Sequence, residues 1–341
     1  MTSDTPDFPW PAGSASGAGS MPGGDPLEAA RIVVGELPVP YLPELPGRGP
    51  GADMVGRTAA LLSELPVETT PGGWRLSRRP GRDLRRARGM LSADLDALEE
   101  AAAGVSGPVK VQACGPWTLA ASLELPGSQD TTLADHGAVA DLVQALAEGL
   151  AAHTAEVRRR LPGTTLLVQL DEPMLPAVLT GDVPTASGLR RYAAVEPGPA
   201  ADALAAVFGA TASYGIVHCC AAAPPFGIIR QSGAHAIYLD LSLLGRGEED
   251  AFAEAVDAGA GVFAGVIQPM DDQPPAPADL ARRVTGLWHR LGLPLSGAAG
   301  QVVIAPACGL AGASPERVTA VLAACREAGR ILPELIEEGT P

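Results

Sequence analysis

Ser213-Tyr214-Gly215-Ile216-Val217-His218-Cys219-Cys220 is a short apolar run that ends in three potential metal ligands. Side chains alternate along a strand, so His218 and Cys220 share one face while Cys219 turns to the other. Strands that end in reactive side chains are what a parallel barrel needs, because the loops after its strands converge on one mouth. Comparable runs recur around this one: 109–113 before Cys114, 165–170 before Asp171-Glu172-Pro173, 236–241 around Asp240, 261–267 before Gln268, and 301–306 before Cys308. Two more lie nearer the N-terminus: 12–18 before Gly19-Ser20, and a weak one at 35–41 that Pro38 and Pro40 interrupt.

Between the runs, apolar residues at three- and four-residue spacing predict helices over 25–34, 52–65, 133–161, 200–208, 225–232, 248–257, 277–291 and 315–332. Eight alternating strand and helix units predict an α/β fold: a single (β/α)8 TIM-type barrel over 12–336 with loop insertions, one of them at 66–82. Residues 1–11, with their prolines and aspartates, read as a disordered N-terminal tail.

Hydrophobic residues make up 46% of the 341 but aromatics only 4%, and the excess of Ala, Leu and Val suits helices around short buried strands. A formal net charge of −15 repels nucleic acid and anionic lipid, and no basic run overrides it. No apolar stretch is long enough to span a bilayer, and the N-terminus lacks the basic and apolar regions of a signal peptide, so the expected location is the cytoplasm. Five cysteines in such a chain predict free thiols or metal ligands rather than a disulfide framework.

His218 and Cys220, on one face of one strand end, can chelate a single zinc ion, which takes imidazole nitrogen and thiolate sulfur and keeps a position open when catalytic. Cys308 in Pro306-Ala307-Cys308-Gly309-Leu310 can reach the same ion from the last strand, with Asp240 as an oxygen ligand. Asp171 is the member of its carboxylate pair that faces the mouth, where it can accept a substrate ammonium group; Gly19 and Ser20 can offer backbone N–H groups to a carboxylate. Cys114, Cys325 and the histidines at 136, 153, 235 and 289 read as packing or surface residues.

From about Gly17 to Leu332 the chain resembles the C-terminal catalytic barrel of cobalamin-independent methionine synthase. The motifs that carry the resemblance are Gly19-Ser20, Leu170-Asp171-Glu172-Pro173, Val217-His218-Cys219-Cys220 and Ala307-Cys308-Gly309-Leu310, with Asp53-Met54-Val55 a weaker match. The resemblance implies zinc on His218, Cys220 and Cys308, and homocysteine held by Asp171 and the Gly19-Ser20 segment. It also implies transfer of a methyl group to the homocysteine thiol in methionine biosynthesis, from 5-methyltetrahydrofolate or a corrinoid protein. Three positions depart from the family pattern: Asp240 where the fourth ligand is glutamate, Arg48 in Gly47-Arg48-Gly49-Pro50-Gly51-Ala52 where the family has a Gly-Glu motif, and Gln268 in place of a proton-donating histidine. Two alternatives follow, a corrinoid-linked methyltransferase for another thiol and a catalytically degenerate zinc-binding barrel.

Overall fold

The computed structural model describes residues 8–271 and 273–338. In chain order its elements are α1 (Pro26–Glu36), α2 (Met54–Ala59), the hairpin of β1 (Val67–Thr70) and β2 (Gly73–Leu76), α3 (Arg82–Ala101), β3 (Gly107–Cys114), α4 (Pro116–Ser122), β4 (Leu123–Glu124), α5 (His136–Arg160), β5 (Thr164–Asp171), α6 (Leu175–Thr180) and α7 (Pro197–Thr211). There follow β6 (Tyr214–Cys219), α8 (Phe226–Gln231), β7 (Ala236–Asp240), α9 (Glu249–Asp257), β8 (Gly261–Ile267), α10 (Pro277–Leu291), α11 (Leu295–Gln301), β9 (Val302–Pro306) and α12 (Pro315–Glu337).

Six parallel strands form one curled sheet in the order β3-β5-β6-β7-β8-β9. The predicted first and second strands close the gap between its edges as bridged segments rather than full strands. Ser16 N–H donates to the Ile304 carbonyl (3.0 Å) and Ile304 N–H to that of Ser14 (2.9 Å), fixing the first segment to β9. Val39 N–H donates to the Ala15 carbonyl (3.1 Å), and Lys110 N–H to that of Pro40 (2.8 Å), carrying the ring on to β3. Proline has no N–H to give, so Pro38, Pro40 and Pro43 leave the second segment only scattered ladder bonds. The architecture is the expected TIM-type barrel.

Strand alternation sorts the core into layers. Ile216 joins Leu167, Tyr238, Phe263 and Val303 inside the ring. Val217 packs outward with the helix layer, and Cys219, also on the outward face, is buried. The burial of Cys219 pushes its thiol up to about 12, consistent with a packing role.

Of the expected tail, residues 1–7 lie outside the described residues, while Trp10 is buried against the inner core of the barrel. Its ring stacks with Phe8 and meets Tyr214 and Phe263 edge-on, and its indole N–H donates to the Gly300 carbonyl at 2.9 Å. Gly261 leaves room for it, since a Cβ there would stand 2.7 Å from the indole.

The insertion at 66–82 contains the β1–β2 hairpin, extended by β4. The expected helix over 52–65 is shorter, and α3, α4, α6 and α11 add helices beyond the sequence expectation. In α3 the buried residues Leu84, Ala87, Leu91, Leu95 and Leu98 form an inner stripe on an otherwise charged helix.

Candidate active site

Parallel pairing of β5 with β6 aligns Asp171 with His218, so the sheet register itself sets these two side chains side by side at the barrel mouth. Asp171 Oδ1 lies 2.6 Å from His218 Nδ1. The imidazole is held over the Tyr238 ring, centroids 4.2 Å apart, and its other nitrogen, Nε2, is buried without a hydrogen-bond partner. Cys220, just past β6, and Cys308, just past β9, bring their Sγ atoms to 3.7 Å.

The N-terminal side of the mouth is built from two loops. Glu44 N–H donates to the Gly19 carbonyl (3.0 Å) and Met21 N–H to that of Glu44 (2.8 Å), while Leu310 N–H donates to the Ser20 carbonyl (2.8 Å). The last bond ties the Gly19-Ser20 segment to the Cys308 loop. Gly19, Ser20, Glu44, Asp171, His218, Cys220 and Cys308 all line one cavity of about 470 Å³, with Asp53, Met54 and Val55 at its edge.

Six of the seven predicted site residues therefore meet, and Asp240 does not join them. Its Oδ1 accepts from Ser242 N–H (2.8 Å) and Oγ (2.7 Å), and its Oδ2 from Gln268 Nε2 (2.8 Å). Asp240 and Gln268 line a different cavity, beside α10. Arg48 is also elsewhere, bonded to Asp94 of α3 at 2.6 Å; that carboxylate is shared with buried Arg57. Glu172, the other half of the carboxylate pair, turns away from the mouth to accept from Trp117 N–H, Thr118 N–H and Thr118 Oγ1 at the start of α4. Gly115 makes that cap possible, because a Cβ there would overlap the Glu172 carboxylate.

Among the described residues, no three His, Cys, Asp or Glu side chains stand as a preset metal cage. The donors at the cavity nonetheless suit zinc. Two thiolates about 2.3 Å from a tetrahedral ion are separated by about 3.8 Å, close to the observed sulfur spacing, and His218 offers one unpartnered nitrogen beside them. The sulfurs also share their protons unequally. The Cys308 thiol is pulled down, first by its hydrogen bond with Cys220 and then by His218 and the Gly309 N–H, while Cys220 is pushed up in turn.

Glu44 is a functional candidate that the sequence reading missed. It is buried, its nearest side-chain donor is Gln112 Nε2 at 3.3 Å, and burial raises its carboxyl to about 7 against the opposing pull of Arg57. The signal lay in a carboxylate just beyond the proline-interrupted run at 35–41. Lys110, Gln112 and Gln169 were also missed, although they are polar interruptions at alternate positions in otherwise apolar strands.

No protein-family model and no curated protein sequence matches the chain. Among solved structures, the chain is similar to a B12-independent methionine synthase from Shewanella sp. W3-18-1 in complex with selenomethionine, at 13% identity and a TM-score of 0.65, over 96% of this chain and 99% of that one. It is also similar to a methyltransferase from Methanosarcina mazei, at 14% identity and a TM-score of 0.57, over 94% of each chain. Identities this low speak for the fold, and both likenesses span nearly the whole of it.

Proposed function

We propose that the chain is a methyltransferase whose acceptor is the thiol of homocysteine, with zinc held by His218 Nε2, Cys220 and Cys308. The observation that carries this reading is the convergence of these three soft donors with two carboxylates in one small cavity. The methionine synthase and methyltransferase structures of the same fold support it. Zinc in such a site supplies a thiolate nucleophile at neutral pH. Asp240 is left out of the ligand set because three hydrogen bonds already occupy its two oxygens.

The chain's own residues then bind and orient the acceptor. Asp171 spends Oδ1 on His218 and Gln169, which leaves Oδ2 for an ammonium group, and Glu44 adds a second carboxylate in the same cavity. The Gly19-Ser20 segment receives the carboxylate end. Holding the amino acid at both ends aims its sulfur at the open metal position, and this restriction of freedom is worth several kcal/mol of barrier at about its upper range.

For the donor, His218 is the one histidine among the described residues that line the cavity, and Gln268 lines a different one. A methylfolate nitrogen must gain a proton to leave, whereas cobalt leaves a methylcorrinoid without one. Glu44, whose carboxyl is raised to about 7, lines the same cavity and can give that proton, so both 5-methyltetrahydrofolate and a corrinoid stand as donors. The test is a methyl-transfer assay with homocysteine against methylcobalamin and against mono- and polyglutamyl methylfolate. Product from at least one of these donors is expected; absence of product with every donor would remove homocysteine as the acceptor.

A further inference from the structure

Below the site, inside the barrel, four polar side chains form one connected, buried row. Lys110 on β3 has no exposed surface, and its Nζ donates to the Ala18 carbonyl (3.0 Å) and to Gln169 Oε1 (2.7 Å). Gln169 Nε2 donates to the same carbonyl (2.9 Å) and to Asp171 Oδ1 (2.6 Å). Asp171 Oδ1 in turn meets His218 Nδ1 (2.6 Å).

This row has one consistent assignment of donors and acceptors. If the Gln169 amide were flipped, its oxygen would face the Ala18 carbonyl and the Asp171 carboxylate, both acceptors, and its NH2 would face the lysine nitrogen. The amide must therefore point its oxygen at Lys110. Asp171 Oδ1 then accepts from Gln169, and the proton it shares with His218 belongs to Nδ1. In the neutral imidazole the lone pair is then left on Nε2, the ring atom that is buried and unpartnered.

We propose that Lys110 is a positioning residue that, through Gln169 and Asp171, fixes the His218 tautomer and so presents Nε2 to a metal. Its bond to the Ala18 carbonyl sets the Gly19-Ser20 segment in register with the same ligand. One buried amine thereby couples the metal side of the cavity to the carboxylate side. The inference rests on the metal-site reading above, but not on which thiol or donor reacts.

The test reads the imidazole nitrogens of histidine-labelled, metal-free protein by NMR, with His218→Gln supplying the assignment. The neutral His218 ring of the unaltered protein should carry its proton on Nδ1 alone. Lys110→Met should bring in the Nε2–H form and weaken zinc binding by roughly 10- to 100-fold, the usual effect of removing an outer partner of a ligand. Gln169→Met breaks the same row with a smaller change to the core and should do likewise, so an unfolded Lys110→Met does not end the test. A neutral His218 ring with its proton on Nε2 in the unaltered protein overturns the assignment without any variant. Unchanged tautomer and zinc affinity in both folded variants would reduce Lys110 and Gln169 to core filling. The expected signatures in a protein that transfers no methyl group would support this proposal and count against the homocysteine reading alone.

Discussion

Asp240 and Cys308 both stand at strand ends that open toward the mouth, and their surroundings separate them. Asp240 caps the turn after β7 and holds Gln268, whereas the Cys308 sulfur faces Cys220 across the cavity. Zinc content measured by atomic spectroscopy should therefore fall well below one equivalent in Cys308→Ser and stay near that of the unaltered protein in Asp240→Asn. Equal loss in the two would return Asp240 to the ligand set. The missed residues share a cause. Glu44, Lys110 and Gln169 gain their roles only when the N-terminal segments lie against β3 and β5, and local sequence does not contain that juxtaposition.

Elements whose signal is local were legible in the sequence. β5 to β9 lie within a residue or two of the β-branched and leucine runs, and α10 spans the residues expected, because each run is bounded by Gly, Pro or charge. The first two strands were harder, since closure there uses a few bridges set by prolines rather than a ladder. In α3, an apolar stripe is diluted by Arg, Asp and Glu on the outer face, and the helix is defined by what it covers: α1, and Val109 and Val111 of β3 beneath Leu91, Leu95 and Leu98. Trp10 is the reverse case: an aromatic in a proline-rich segment that finds a place under the barrel only in three dimensions. Removing it should leave a cavity between Phe263 and Tyr214. Trp10→Ala is expected to cost about 3–5 kcal/mol in urea unfolding. A change under about 1 kcal/mol would mean that the inner core closes without it.

At the scale of the whole molecule, buried groups bend the pH dependence of stability in opposite directions, and Glu44 and His153 show the two signs. Glu44 has its carboxyl raised from 4.5 to about 7 by burial. Folding therefore favours its protonated form, and the stability this contributes is present below pH 4.5 and lost as pH rises through 7. His153 on α5 is lowered from 6.5 to about 4, by burial first and by Arg57 second. Folding favours its neutral form, so its contribution is present above pH 6.5 and lost as pH falls through 4. Each amounts to about 3 kcal/mol at most. The two nearly cancel each other between pH 4.5 and 6.5, where Glu172, also raised to about 7 by burial, adds a slope of the Glu44 sign, and single variants should uncover each contribution. Glu44→Gln, which mimics the protonated acid, should raise the urea midpoint at pH 8 and leave it almost unchanged at pH 4.5. His153→Gln should raise it at pH 5 relative to the unaltered protein and gain nothing at pH 7.5. The Glu44 variant carries a second consequence, because the same carboxylate faces the candidate substrate cavity. A group that weakens the fold at neutral pH is retained at a position where an ammonium ion can compensate it, so Glu44→Gln should be more stable and bind the amino-acid acceptor less tightly. Tighter or equal binding by the stabilised variant would place Glu44 outside the recognition of substrate.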